Sequence, residues 1–217
     1  MDSLLLQLRN ERINRRITMT KTFMVENEFE NVEVTIIEQP GAELGSVVWP
    51  GACFLSDYIQ QNRQLILQKR VIELGCGPGL PGICSAILGA REVILTEQNK
   101  PELLRIINQN IQLNQSKTKC EIKSLVLDWF DDTSIKNTSP PFDVILASDI
   151  VYNNNIQLFD ALCNTIKLLA SNTTVILLSY KKRDAAEKYF FDNLGEGFRF
   201  DKVSSGGDQM IYKICMK

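Results

Sequence analysis

The residues best suited to chemistry in this sequence follow one another in a definite order. A glycine-rich segment, Glu73-Leu-Gly-Cys-Gly-Pro-Gly79, comes first, and Glu97, Asp128-Trp129, Asp149 and Tyr152 each stand just beyond a later apolar run. Gly75, Gly77 and Gly79 permit a tight turn and a close backbone approach to a ligand. Such a turn also suits a dinucleotide, and Gly77-Pro-Gly79-Leu-Pro-Gly82 fits G-x-G-x-x-G. A purely structural turn would look the same. Glu73 weighs against a dinucleotide, because a carboxylate beside the turn suits a cationic ligand better than a pyrophosphate.

Glu97 lies 24 residues after Glu73, where an acid can accept both hydroxyl hydrogens of a ribose; the alternative is a solvated surface acid. Asp128 can accept a hydrogen bond from an exocyclic amine, and Trp129 offers a face for stacking. A half-buried aromatic at a strand end is the plainer role for Trp129. Asp149 closes the run Phe142-Asp-Val-Ile-Leu-Ala-Ser-Asp149, which sets a carboxylate at the carboxyl edge of a sheet. There it can orient an amine while its proton leaves, with Tyr152 as an aromatic wall beside it. Its competing role is N-cap of the following helix.

These positions require strands that end where the acids begin. Short apolar or β-branched runs at 70–74, 92–96, 121–126, 142–147 and 174–178 read as strands. Between them lie helical patterns. One at 51–61 gathers Phe54, Leu55, Tyr58 and Ile59; a second opens at Pro81 and stops at Gly89; a third opens at Pro101 and turns Leu103, Leu104, Ile107 and Ile111 to the core; a fourth aligns Ile156, Phe159, Leu162, Cys163, Ile166 and Leu169. A helix near 185–193 precedes strands near 198–203 and 209–216, with no helix between the two, so one edge of the sheet should be antiparallel. Runs at 22–25 and 32–37 suggest a hairpin before this unit, and Leu4-Leu-Leu6 belongs to a mobile arm or short helix. The alternation specifies an α/β fold with a mostly parallel sheet covered on both faces. Residues 1–45 form the arm and hairpin, and residues 46–217 form one compact unit.

Composition narrows the chemistry. The 217 residues include no histidine, so no Ser-His-Asp or Cys-His catalyst, imidazole base or His-ligated metal site is available, and no metal is expected. The formal charge of −2 gives no electrostatic reason for phosphate-backbone binding, which disfavours nucleic acid as a partner. Cys53, Cys76, Cys84, Cys120, Cys163 and Cys215 are scattered without a C-x-x-C pair, as in a reduced intracellular protein. No signal h-region and no run of transmembrane length is present, so a cytoplasmic protein that does not enter the membrane is expected.

Taken together the motifs are no longer generic. Glu73-Leu-Gly-Cys-Gly-Pro-Gly79 resembles motif I of the class I, seven-β-strand methyltransferases. The narrower resemblance is to methyltransferase family 16, the methyltransferase-like 21 protein-lysine methyltransferases and their relatives. Val47-Val-Trp-Pro-Gly-Ala52 is similar to the family's V-V-W-D-A-A, Thr96-Glu97 stands where it has Thr-Asp, and Leu127-Asp-Trp129 matches its Leu-x-Trp. Ala147-Ser-Asp-Ile-Val-Tyr152 matches its D-x-x-Y stretch, and Ser179-Tyr-Lys-Lys-Arg183 and Glu187-Lys-Tyr-Phe-Phe191 resemble the segment after the fifth strand of the unit.

The resemblance implies a doubly wound, Rossmann-like methyltransferase fold whose seven-stranded sheet has an antiparallel last strand, with an N-terminal β-hairpin over the substrate side. It implies S-adenosylmethionine as cofactor and transfer to a lysine of a protein partner, a chaperone or translation factor; a chain of this size with one core is expected to be a monomer. Trp49, Gly75, Cys76, Gly77, Glu97, Trp129 and Ser148 would contact the cofactor, Glu73, Gly79, Gln98 and Asp128 would complete that set, and Asp149 and Tyr152 would flank the lysine. The chain departs from the family at Pro50, where Asp is usual, at Glu97, one methylene longer, and at Ser148, usually Ala. Methylation of RNA or a small molecule, or an idle fold that only binds, are the competing functions; the absence of N-P-P-Y or D-P-P-Y after the fourth strand speaks against nucleobase work.

Overall fold

The computed structural model describes residues 18–26, 31–152, 155–183 and 187–217. The leucine-bearing arm and the start of the tail helix at Ala185 lie outside the described residues. The chain opens with strands β1 (Met19–Glu26) and β2 (Asn31–Glu38), an antiparallel pair. Then come α1 (Pro50–Gln61), β3 (Arg70–Leu74), α2 (Leu80–Leu88), β4 (Glu92–Glu97), α3 (Pro101–Asn114) and β5 (Glu121–Val126). The second half holds α4 (Asp132–Lys136), β6 (Val144–Ser148), α5 (Ile156–Leu169), β7 (Val175–Lys181), α6 (Glu187–Gly195), β8 (Phe198–Gly206) and β9 (Gln209–Met216).

Proline placement explains three of the helix starts. Pro50, Pro81 and Pro101 each sit in the first two helical positions, where the missing N–H costs no bond. Gly89 ends α2 at φ +105. The main sheet runs in the order β5-β4-β3-β6-β7-β9-β8. Its first five strands pair in parallel, and β9 is antiparallel to both β7 and β8. The doubly wound fold with an antiparallel last strand is therefore present. One detail differs from expectation: β9 inserts between β7 and β8 instead of lying outermost, so the edge strand β8 keeps the direction of the parallel set.

Strand alternation divides the core between the two faces of the sheet. Val71, Val93, Val144, Leu146 and Leu177 pack with α1, α2 and the hairpin, while Ile72, Ile94, Ile145, Ala147 and Leu178 pack with α5 and α6. No helix of the described residues is long and apolar enough to cross a membrane.

The hairpin docks through α3. Asn110 Oδ1 accepts from Ile37 N at 2.7 Å, and its Nδ2 donates to Ile37 O at 3.1 Å and to Pro78 O at 2.9 Å. Asn114 Oδ1 accepts from Thr35 N at 3.0 Å, and its Nδ2 donates to Thr35 O at 2.8 Å. The expected core face of α3 is extended: Leu103 and Ile107 are buried and the half-buried Ile111 packs against the core, but Ile106, Asn110 and Asn114 also lie inside, while Leu104 is only half-buried. A helix facing strand backbone needs amide partners there, because unpaired buried N–H and C=O groups are costly.

Candidate functional site

The first strands of the main sheet run outward from its centre to β5, and the chain then returns to pair β6 with β3 on the other side. Where strand order reverses in this way, the diverging loops leave a crevice at the carboxyl ends of the strands. A cleft of about 620 Å³ lies there. Its walls come from the turn after β3, the ends of β4, β5 and β6, the segment between the hairpin and α1, and Arg183 beyond β7. Among the described residues, the strap that follows the hairpin, from Glu43 to Trp49, supplies that wall in place of the hairpin strands.

Gly75 and Gly77 take left-handed φ values of +57 and +53. A Cβ on Gly77 would stand 3.0 Å from Gly45 O, so the strap crosses directly over the turn. The strap is tied down by Glu38, which accepts from Val48 N, and by the Lys100–Glu43 ion pair at 2.8 Å. Trp49 occupies the position before α1 and donates from Nε1 to Leu44 O at 2.9 Å. Cys76, Trp49, Asp128, Trp129 and Ser148 all line the cleft.

Two buried acids behave differently here. Glu97 and its neighbour Gln98 line the cleft, and burial pushes the Glu97 carboxyl up to about 7, with Gln98 and the Lys100 charge opposing the rise. Glu73 is fully buried and does not reach the cleft. Its Oε2 accepts from Gly82 N at 2.8 Å, and burial pushes its carboxyl up to about 8. Glu73 is thus a largely neutral acid beneath α2 at neutral pH, which corrects the expectation of a carboxylate facing a cationic ligand. Gly79 is likewise absent from the lining; its Cβ would meet Leu95 Cδ1 at 2.7 Å, so its role is packing between turn and sheet.

The sign of the Glu73 shift yields a stability prediction. A folded-state pKa above the unfolded value of about 4.3 means that the folded state holds the proton more tightly, so stability falls as pH rises toward about 8. Glu73→Gln should flatten the decline in Tm between about pH 5 and 8. Parallel melting curves for the two proteins across that range would show that Glu73 does not titrate on unfolding.

Asp149 follows β6 at φ +53, and its side chain is almost wholly buried. Oδ2 accepts from Gly51 N at 2.8 Å, and Oδ1 accepts from Arg183 Nη2 at 2.6 Å. Gly51 has no room for a side chain, because a Cβ would fall 2.3 Å from Asp149 Oδ2. Asp149 does not cap the helix that follows it: Asn155 does, accepting from Leu158 N at 3.1 Å. Asp149 instead closes the N-terminus of α1, whose positive dipole end favours a carboxylate. Tyr152, 40% exposed, stands on the same wall.

The structure therefore brings every expected site residue except Glu73 and Gly79 to one cleft. Arg183, Lys100 and the strap residues Glu43–Val48 were not foreseen. Arg183 stands past the carboxyl end of a strand, the same placement that singled out Glu97 and Asp149, and a basic residue there was a readable signal. The arrangement can grip a nucleoside-bearing ligand between the glycine turn, Glu97 and Trp129, and present an amine at Asp149 to it.

Known proteins share the sequence pattern and the fold. A family model described as lysine methyltransferase matches residues 28–197. The chain is similar to the protein-lysine methyltransferase METTL21E of Mus musculus, 35% identical over 167 residues, 74% of this chain and 66% of that protein. It is 32% identical over 192 residues to the EEF1A lysine methyltransferase 3 of Xenopus tropicalis, covering 86% of this chain and 82% of that one. The chain spans between 56% and 66% of the length of the three METTL21E relatives it matches. Among solved structures, a Thermus thermophilus 16S rRNA methyltransferase in complex with AdoMet and guanosine superposes with a TM-score of 0.63 at 17% identity, over 92% of this chain and 51% of that one. At that identity the likeness concerns the fold alone.

Proposed function

The chain belongs to the lysine methyltransferase family, and from that premise we propose that it transfers a methyl group from S-adenosylmethionine to the ε-amine of a lysine in a partner protein. The observation that carries this reading is the single cleft in which Gly75, Gly77, Glu97 and Trp129 face the same space as Asp149 and Tyr152.

The residues fit the cofactor. A cleft of about 620 Å³ is of the size that holds a ligand as large as S-adenosylmethionine. The left-handed turn at Gly75 and Gly77 lets backbone approach the ligand, and the buried Glu97 offers two acceptors for a ribose diol. Trp129 offers a stacking face, with Asp128, Cys76, Gln98, Trp49 and Ser148 around it. When bound, S-adenosylmethionine supplies an electrophilic methyl group on a sulfonium.

The chain's own residues then have to deliver a neutral amine in line with that methyl, at about 3 Å. A lysine ammonium, with an ordinary pKa of about 10.4, must first lose a proton. Asp149 orients the ammonium as the proton passes to water, and Tyr152 walls the approach. Both termini of the Asp149 carboxylate are fixed by Gly51 N and Arg183, so the acceptor enters a preset geometry. A chaperone or translation factor is the substrate class in this reading, acted on in the cytoplasm by a monomeric enzyme whose cofactor unit is residues 46–217 together with the strap residues Glu43, Leu44 and Gly45 that close the cleft.

Glu97 gives cofactor binding a pH dependence. The carboxylate form accepts both ribose hydroxyls, and the free protein holds that group near pKa 7. Binding therefore releases a proton below that pH, and affinity should rise about tenfold from pH 6 to 8 before levelling. Glu97→Gln should bind more weakly with a flat pH profile; an equally steep profile in that variant would remove Glu97 from the ribose. Titration calorimetry with S-adenosylmethionine tests the reading as a whole. Saturable binding is expected, and none at millimolar cofactor would leave an idle fold.

A further inference from the structure

Arg183 has no task in the scheme above beyond holding Asp149, yet it is unusually well fixed. Arg183 N donates to Glu187 Oε2 at 3.0 Å, and Nη1 donates to Lys181 O at 3.1 Å. Glu187 is fully buried and also accepts from Tyr180 OH. The backbone of Arg183 is thus held by Glu187 of α6 and its guanidinium by Lys181 O of β7, and Nη2 reaches Asp149 Oδ1 at 2.6 Å. A surface ion pair between two free side chains would be worth little; this one joins an anchored arginine to a buried carboxylate.

We propose that Arg183 is a positioning residue that sets the protonation state of the acceptor amine, by keeping Asp149 charge-compensated so that the incoming ammonium loses its proton to water near neutral pH. The inference rests on the lysine reading of the Asp149 site. An ammonium beside a bare carboxylate is held in its charged form, with its pKa raised by about 1–3 units. The guanidinium on the same carboxylate cancels much of that field and repels a second cation. Other charged or titratable groups around the cleft are Cys76 after β3, Glu97 at the end of β4 and Lys100 beyond it, Tyr152 after β6, Glu43 on the strap and Asp128 after β5. Lys100 is paired with Glu43 at 2.8 Å, and Lys181 with Asp208 at 2.7 Å. Among the described residues, Arg183 is the cation in contact with Asp149.

The test uses the full chain saturated with S-adenosylhomocysteine and [15N]butylamine, a lysine side chain without its backbone. The 15N shift is followed from about pH 7 to 10.5, below and around the free amine value of about 10.4. In the wild type the bound amine should titrate below the free amine. In Arg183→Gln its pKa should move up by about one unit, and Arg183→Lys should restore the wild-type curve. The Arg183 side chain is 31% exposed, so the variants should fold, which matching thermal melts would confirm. Coincident titration curves for wild type and Arg183→Gln would overturn the proposal and reduce Arg183 to a loop anchor, as would failure of butylamine to bind the wild type saturably. A failure of the lysine reading shows differently, as wild-type protein transferring labelled methyl groups to RNA or small molecules.

Discussion

Asp149→Asn is expected to slow methyl transfer by about 10²–10³-fold while changing S-adenosylmethionine affinity by less than about threefold. Asparagine is the informative replacement because the position sits at φ +53, a conformation that Asn and Asp tolerate better than other side chains. Alanine would add backbone strain to the loss of charge. The amide oxygen can still accept from Gly51 N, so the end of α1 keeps its partner. What disappears is the negative charge that pairs with Arg183 and that, in the proposed reading, faces the amine. A single-turnover rate within a few-fold of wild type would mean that Asp149 only closes the N-terminus of α1 and that the acceptor is oriented by another group.

Gly77→Ala is expected to weaken S-adenosylmethionine binding by about 10²-fold, or roughly 2.7 kcal/mol. Two costs combine. The left-handed backbone disfavours any Cβ by about 1–2 kcal/mol. The added carbon would also stand 3.0 Å from Gly45 O, a backbone atom of the strap that no rotamer change can move. Relief requires shifting either the turn or the strap, and both line the cleft. Gly207→Ala is the control: its φ is +58, and a Cβ there meets nothing within 4 Å. Both variants should lose stability, Gly207→Ala by about 1 kcal/mol and Gly77→Ala by more because of its close approach to Gly45 O, but only Gly77→Ala should lose cofactor affinity, as read by calorimetry. Equal affinities in the two variants would show that the turn does not form the cofactor's backbone cradle.

The parts of the fold legible in the sequence are those with a period or a stop signal. The bounds of β3, β5 and β9 coincide with apolar runs read directly, and Pro81 and Pro101 mark helix starts. The strap after β2 has no period to read, because single contacts such as Glu38 to Val48 N and Lys100 to Glu43 hold it. Glu73 was misjudged for a reason the pattern itself contained. It shares a strand face with Val71, which packs under α1 and α2, so alternation aims its carboxyl at Gly82 and away from the cleft. Asn110 and Asn114 were invisible as core residues, since their partners are backbone groups of a hairpin about 75 positions away. The Asp149–Arg183 pair joins loops 34 positions apart, and nothing local announces such a contact.

The most direct test of lysine transfer is incubation of the wild-type protein and Asp149→Asn with labelled S-adenosylmethionine and a cell extract, followed by mass spectrometry of the labelled species. Label on a lysine of a discrete protein band, present with wild type and lost with Asp149→Asn, is the expected result. Label on RNA, on small molecules or on a side chain other than lysine would contradict it.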